Sequence, residues 1–219
     1  MCGIIGYVGN EDAQPVILDG LKRLEYRGYD SAGLAVLSGG KLTIRKRVGR
    51  LSSLEQTCAE NPVQGSPGIG HTRWATHGEP SEVNSHPHTD TAGEIAVVHN
   101  GIIENYLELR EMLEKEGFVF RSQTDTEVIP NLIALELRRD QKDFMGALSR
   151  ALQRARGAYA LGILWTREPG RIYAARQGSP LIIGVGEGEN FIASDVPAII
   201  NRVTRVIYLN DGEMACLEA

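Results

Sequence analysis

Short apolar runs, separated by glycine and polar turn residues, recur along the chain. Their length and their content of β-branched residues are typical of β-strands. Most are apolar throughout, as in Ile95-Ala96-Val97-Val98, which indicates sheets covered on both faces. The predicted strands are Gly3–Val8, Gly33–Leu37, Lys41–Lys46, Ile69–Trp74, Glu94–His99, Ala158–Trp165, Arg171–Ala175, Leu181–Val185, Phe191–Ala193 and Arg205–Leu209.

Helical periodicity marks a second set of segments. The first places Val16, Leu21 and Leu24 at helical spacing. Ahead of the fourth, Thr124 and Glu127 fit a capping box, in which each side chain would bond the other residue's backbone N–H. The predicted helices cover 12–24, 50–59, 103–116, 126–138 and 143–155.

The connections between the predicted strands indicate how the strands pair. Ser38-Gly39-Gly40-Lys41 joins two of them as a tight hairpin. The later strands follow one another with only turn residues between them, which favours antiparallel pairing because parallel strands need long crossovers. We therefore predict one α+β domain over 2–219, with layered helices and mostly antiparallel sheets.

Charge and hydropathy exclude several classes of protein. The formal net charge of −5 argues against a dedicated nucleic-acid binder. No apolar run approaches the roughly 20 residues that a membrane-spanning helix needs. The N-terminus also lacks the cationic and apolar regions of a signal peptide. We expect a cytoplasmic protein that binds neither membrane nor nucleic acid.

The cysteines and histidines do not predict a metal site or disulfides. The cysteines are far apart and form no C-x-x-C pair, so Cys58 and Cys216 are interpreted as structural. The histidines include no H-E-x-x-H pair, and we expect neither a metal nor another cofactor. All five of them fall within residues 71–99: His71, His77, His86, His88 and His99.

Cys2 is the first candidate for chemistry. A small residue after the initiator Met normally allows Met removal, which would leave Cys2 as the N-terminus. Its free α-amine would titrate near 7.7–8.0 and its thiol near 8.5, so the amine could act as base for the thiol. The alternative is a small buried hydrophobe at the start of a strand.

Two further clusters follow predicted strands. Arg73, in His71-Thr72-Arg73-Trp74, could grip a carboxylate through two parallel N–H bonds; the alternative is an ordinary Arg at a sheet edge. Asn100 and Gly101 follow the apolar strand and could offer two donors to a developing oxyanion. Their alternative is a plain Asn-Gly turn.

Asp125 lies near the start of the fourth predicted helix. Its carboxylate could meet a substrate ammonium group. The alternative is an acidic residue favoured there by the helix dipole. Composition and spacing alone do not decide between the two.

Five motifs stand out along the chain. They run from Cys2 to Gly6, from Arg27 to Gly33, from His71 to Gly78, from His99 to Asn105 and from Thr124 to Glu127. Taken together, these motifs resemble those of the class II glutamine amidotransferase domain, which belongs to the N-terminal-nucleophile hydrolases. Three stretches, 23–31, 73–88 and 178–181, are more specifically similar to the glutamine–fructose-6-phosphate aminotransferases (glucosamine-6-phosphate synthases).

The resemblance implies a four-layer αββα sandwich of two antiparallel sheets. It also implies that Cys2 attacks the side-chain amide of L-glutamine, giving L-glutamate and ammonia, and that Asn100 and Gly101 stabilise the oxyanion. Arg73 and Asp125 would hold the α-carboxylate and α-ammonium groups of the substrate. Further substrate-binding positions implied by the family are Trp74, Thr76 and His77 in a closing loop, with His86 and Arg27 beside the cleft.

Members of this family carry a C-terminal sugar-isomerase half that uses the ammonia to convert fructose 6-phosphate to glucosamine 6-phosphate. This chain matches only the glutaminase half. We therefore expect an isolated domain or fragment that hydrolyses glutamine, and a homo-oligomer for the full-length enzyme. The alternatives are another class II amidotransferase, or a non-catalytic ligand-binding module with the same fold.

Overall fold

The computed structural model describes residues 2–27, 30–74 and 78–219, with only the main chain of Arg27. Its strands are β1 Gly3–Gly9, β2 Ser31–Ser38, β3 Lys41–Val48, β4 Gly68–Arg73, β5 His88–Thr89, β6 Ile95–Ile103, β7 Gly157–Trp165, β8 Ile172–Gln177, β9 Ile182–Val185, β10 Glu189–Ala193, β11 Arg205–Tyr208 and β12 Met214–Leu217. Its α-helices are α1 Ala13–Leu24, α2 Leu51–Glu60, α3 Tyr106–Lys115, α4 Val128–Leu137 and α5 Phe144–Leu152. Short 3-10 turns cover Glu25–Arg27 and Val196–Ala198.

The strands form two sheets in which neighbouring strands pair antiparallel. The seven-stranded sheet has the order β11-β9-β10-β1-β4-β2-β3, and the five-stranded sheet has the order β12-β8-β7-β6-β5. The register of β1 joins it to β10 on one side and to β4 on the other. The expectation of mostly antiparallel sheets is confirmed.

Three apolar layers separate four layers of secondary structure. One layer lies between α1 and α2 and the outer face of the larger sheet, where Ile5 and Tyr7 are buried. A second lies between the smaller sheet and α3, α4 and α5. The third lies between the two sheets and holds Ile4, Ile69 and Val98. Because both sheet faces are covered, strands without a polar face are the expected sequence pattern.

Most predicted elements are present, with three differences of consequence. The predicted strand Glu94–His99 ends too early, because β6 continues through Asn100 and Gly101 to Ile103 and pairs there with β7. Helix α3 consequently begins at Tyr106 rather than at 103. Strands β5 and β12 were not predicted; β5 is two residues long, too short to carry an alternation signal.

The predicted capping box ahead of α4 is also wrong. Glu127 occupies the N-cap position of α4 but makes no side-chain capping bond. Its carboxylate instead accepts hydrogen bonds from the backbone N–H of Arg121 and from the backbone N–H and hydroxyl of Ser122. The side chain therefore closes the preceding loop rather than the helix end.

The hairpin between β2 and β3 is confirmed. Gly39 and Gly40 have φ of 56° and 75°. Residues other than glycine rarely adopt this left-handed backbone conformation. Within the described residues, none of the helices is long and apolar enough to cross a membrane.

Candidate active site

One end of the space between the sheets opens into a cavity of about 370 Å³. The cavity brings together most of the residues that the sequence singled out. Those in its wall are Cys2, Arg73, Trp74, His86, Asn100, Gly101 and Asp125. They come from five separate segments of the chain, so the fold and not the sequence order assembles them.

The alternation of three strands, the neighbours β1 and β4 of the larger sheet and β6 of the facing sheet, delivers the central side chains. Successive residues of a strand face opposite sides of the sheet, so every second residue shares one face. Cys2 lies two residues before Ile4, on the face of β1 that looks toward the other sheet. In β4 the same face runs from Ile69 to Arg73, and in β6 it reaches Asn100.

The thiol of Cys2 is half-buried and accepts a hydrogen bond from the residue that follows β4. The backbone N–H of Trp74 donates to Sγ of Cys2 at 3.1 Å. Burial raises the pKa of the Cys2 thiol, while this N–H bond acts in the opposite direction. Since the rise prevails, the thiol is protonated at neutral pH and needs a base to become a nucleophile.

Asn100 and Gly101 lie opposite Cys2 on the second sheet. The side-chain amide Nδ2 of Asn100 donates to the carbonyl oxygen of Cys2 at 3.1 Å. Gly101 has a φ of +131°, and a Cβ at this position would lie 2.0 Å from the carbonyl oxygen of Ala158. Only glycine fits this close approach to β7. The local distortion of β6 therefore lies directly beside the candidate nucleophile.

Arg73 forms part of the wall as a buried cation. Its guanidinium donates to the carbonyl oxygen of Gly78 at 3.0 Å and lies 3.8 Å from a carboxylate oxygen of Asp30. Buried charges need partners of this kind, because removal from water is costly. The guanidinium is thus held in place at the cavity and is suited to a carboxylate.

Asp125 supplies the opposite charge. Its Oδ2 accepts a hydrogen bond from the backbone N–H of Ile103 at 2.7 Å. The loop before it is closed by Glu127, whose carboxylate lies 2.6 Å from the hydroxyl of Ser122. A buried, oriented carboxylate at this point can meet an ammonium group.

Four buried histidines pack together, two of them (His86 and His99) in the cavity wall and two behind it. The rings of His71 and His86 stack with centroids 4.1 Å apart, and His88 meets His86 edge-on at 4.8 Å. Burial lowers the pKa of His71 to about 3 and also lowers those of His86, His88 and His99. All four rings are therefore neutral at pH 7.

Glycine at position 33 makes room for this cluster. A Cβ on Gly33 would lie 2.1 Å from the carbonyl oxygen of His86, so the segment carrying His86 packs directly on the backbone of β2. In the part of the chain that the structure describes, no three His, Cys, Asp or Glu side chains group as a metal site would require.

Some expected site residues lie outside the described part of the chain. These are Thr76 and His77, together with the side chain of Arg27. The cavity wall also contains Ile102, Ser179 and Pro180, which the sequence did not single out as site residues. Ser179 and Pro180 belong to a stretch that carried the family resemblance, and that was the signal for them.

Comparisons with known proteins agree on one family for this chain. Residues 71–201 match the family model described as the glutamine amidotransferase domain. The chain is 56% identical over 215 residues to the glutamine–fructose-6-phosphate aminotransferase (isomerizing) of Symbiobacterium thermophilum, and 54% identical over 217 residues to that of Aquifex aeolicus. These alignments cover 98% and 99% of this chain but only 35% and 36% of the relatives. The chain thus spans about a third of their length.

Two solved structures share the fold. The glutamine phosphoribosylpyrophosphate amidotransferase of B. subtilis superposes with a TM-score of 0.82 at 30% identity, covering 99% of this chain and 47% of that one. A structure described as the allosteric regulatory enzyme of purine biosynthesis gives a TM-score of 0.85 at 29% identity, with the same coverage. The expected αββα sandwich of the N-terminal-nucleophile hydrolases is confirmed.

Proposed function

Because the chain belongs to the glutamine amidotransferase domain family, we propose that it hydrolyses the side-chain amide of L-glutamine at Cys2. The observation that carries the proposal is the shared cavity, in which a thiol, an amide donor, a buried guanidinium and a buried carboxylate meet. The products are L-glutamate and ammonia. The domain that does this extends over 2–219.

Charge complementarity supports a binding mode for the substrate. The α-carboxylate of glutamine pairs with Arg73 and the α-ammonium group pairs with Asp125. A guanidinium binds a carboxylate through two parallel N–H bonds, which also fixes its orientation. Because both charged groups of the substrate are then held, its side chain extends toward Cys2.

The nucleophile requires removal of Met1. A free α-amine on Cys2 accepts the thiol proton, and Sγ then attacks the amide carbon. The tetrahedral intermediate expels ammonia, which takes up the proton from the α-ammonium group of Cys2. Water hydrolyses the resulting thioester, with the same amine as base, and releases glutamate. An amine acylated by Met1 could not accept this proton.

The oxyanion of each tetrahedral intermediate is stabilised by Nδ2 of Asn100 and the backbone N–H of Gly101. Donors aimed at developing charge in a water-poor site are typically worth about a hundredfold to a thousandfold in rate each. Trp74, Thr76 and His77 are proposed to close over the bound substrate. His86 and Arg27 are proposed to lie beside the cleft and to bind the substrate.

The similarity to the aminotransferases supports a further partner. In the longer protein, a sugar-isomerase domain would receive the ammonia and convert fructose 6-phosphate to glucosamine 6-phosphate. This chain alone should not form the sugar product. The cytoplasm is the proposed location, since amino-sugar synthesis from phosphorylated sugars uses intracellular substrates, and the full-length enzyme is proposed to form a homo-oligomer.

The test is intact-mass analysis before and after incubation with a glutamine-like diazo-ketone, alongside ammonia release from glutamine. We expect loss of Met1, one adduct on Cys2 and steady release of ammonia. Cys2→Ser should take no adduct, whereas the exposed Cys216 provides a control in Cys216→Ser. Processed protein that neither reacts at Cys2 nor releases ammonia would contradict the proposal and favour a non-catalytic module.

A second experiment distinguishes between the possible acceptors of the ammonia. The full-length protein should consume fructose 6-phosphate together with glutamine. Consumption of phosphoribosyl pyrophosphate in its place would assign the domain to a different class II amidotransferase.

A further inference from the structure

We infer that His71 is a positioning residue that determines which end of the Asn100 carboxamide faces the nucleophile. The inference rests on the proposed glutaminase function, because it concerns the donor that would bind the oxyanion. His71 is not itself within the set of residues proposed to touch substrate. It acts across the space between the two sheets, from β4 to β6.

The contacts of His71 define its tautomer. Its Nε2 lies 3.0 Å from the carbonyl oxygen of His99 and 2.9 Å from Oδ1 of Asn100. A carbonyl oxygen can only accept, so Nε2 must carry the proton. This conclusion does not depend on how the amide of Asn100 is assigned.

The tautomer in turn orients Asn100. A protonated Nε2 favours the oxygen of the carboxamide and opposes its NH₂ group, since two donors repel. At the other end, Nδ2 of Asn100 donates to the carbonyl oxygen of Cys2 at 3.1 Å. Rotation of the amide by half a turn would place donor against donor at His71 and acceptor against acceptor at Cys2. Both contacts therefore select the orientation that presents an N–H on the side of Cys2.

The surroundings keep the imidazole in this state. The ring is 1% exposed and stacks on His86. Its pKa of about 3 leaves it neutral at pH 7, with a single proton that the two carbonyl acceptors hold on Nε2. A charged imidazolium would also donate from Nε2, so the neutral state is not what makes this nitrogen a donor. Burial instead excludes water and prevents rotation of the ring.

Two isosteric variants separate the N–H from the bulk of the side chain. His71→Met fills the space with a flexible apolar chain but removes the donor. His71→Gln places an amide N–H at a similar reach. We expect His71→Met to lower kcat for glutamine hydrolysis by between about tenfold and a hundredfold, with KM changed less than threefold, since loss of an oxyanion donor sets the upper bound. His71→Gln should recover most of that loss.

A matched control uses another histidine of the same cluster. His88 is buried and hydrogen-bonded to the hydroxyl of Thr124 at 3.1 Å, with no bond to Asn100. His88→Met should leave kcat within about threefold of the wild type, because a general disturbance of the cluster does not reorient Asn100. Equal losses in His71→Met and His88→Met would overturn the positioning role.

The double variant His71→Met with Asn100→Ala gives the sharpest test. If His71 acts through Asn100, the double variant is no slower than Asn100→Ala alone. If His71 only stabilises the fold, the two losses multiply. Alkylation of Cys2 by iodoacetamide needs no oxyanion donor, so its rate should be unchanged in His71→Met.

A measurement on the wild-type protein applies even if a variant does not fold. Long-range nitrogen–proton correlation spectra, assigned through the resonances of the wild-type protein itself, should show His71 as the neutral Nε2–H tautomer. A neutral Nδ1–H tautomer would overturn the inference. Failure of the glutaminase proposal is distinguishable, because the wild type would then release no ammonia whatever its tautomer.

Discussion

The two ends of the space between the sheets are built by the same strands and have opposite chemistry. At the closed end, β1, β4 and β6 contribute Val8, Ile69 and Ala96, all fully or almost fully buried. At the open end, the same three faces carry Cys2, Arg73 and Asn100. A change from apolar to polar residues along the faces of three strands thus converts a packed core into a site, with no change of fold.

The packed apolar end explains why the side chains at the polar end are held in fixed positions. A side chain that must hold a substrate needs support from rigid neighbours, and helices or strands give that support better than loops. The apolar end supplies the rigidity because interiors pack as densely as organic crystals. We therefore expect substitutions at the polar end to alter activity and substitutions at the apolar end to alter stability.

The largest effect is expected at the nucleophile. Cys2→Ser should lower glutamine hydrolysis at least about a thousandfold, because the hydroxyl is a far weaker nucleophile than the thiol. Its unfolding midpoint in urea should match that of the wild type. Cys216→Ser should retain full activity, and a similar loss in both variants would contradict the assignment.

At the apolar end, Ile69→Ala should lower the free energy of unfolding by about 3 kcal/mol. The side chain is fully buried between the sheets, so the variant loses transfer free energy and leaves a cavity. Urea titration measures the loss. At a temperature where the variant is folded, its kcat should stay within about twofold of the wild-type value. A loss of kcat as large as that of a variant in the site would contradict the distinction between the two ends.

Lowering the pH should weaken the fold through the buried histidines. The folded-state pKa of His71 is about 3, below the value near 6.5 in the unfolded chain. Between these values the unfolded state binds a proton that the folded state does not, so stability falls as pH falls. For His71 alone the free energy of unfolding should be about 2 kcal/mol lower at pH 5 than at pH 7.

Urea titrations at the two pH values check this expectation. The difference between pH 7 and pH 5 should be smaller in His71→Gln, since that variant lacks the titrating ring. An equal difference in both proteins would show that His71 titrates normally.

A smaller effect is expected at Arg73. Arg73→Lys keeps the charge but loses the paired N–H donors, so KM for glutamine should rise about tenfold with a lesser change in kcat. Steady-state ammonia release measures both constants. Arg47→Lys, at an exposed ion pair with Glu82, is the matched control and should leave KM unchanged. An unaltered KM in Arg73→Lys would argue against carboxylate binding there.

The differences between prediction and structure have physical causes. Asn-Gly is a common turn dipeptide, yet Asn100 and Gly101 remain in β6 because β7 pairs with them along its length. Glu127 had the spacing of a capping residue, but the N–H groups of Arg121 and Ser122 compete for its carboxylate. In the first case a strand distant in sequence decided the outcome, as tertiary context often does; in the second, neighbouring loop residues outcompeted the helix N-terminus for the carboxylate.

The sequence by itself determined the class of elements, the antiparallel pairing, and the residue types able to do amide chemistry. Alternation and turn residues are local properties, and five ordered motifs identify a family. Only the tertiary structure decided that His71 meets Asn100, that Glu127 closes the loop before Asp125, and that β6 runs through Gly101. The first and third of these contacts join residues from different elements, and the second joins residues of one loop. The free energy of each depends on burial and distance, which no local pattern encodes.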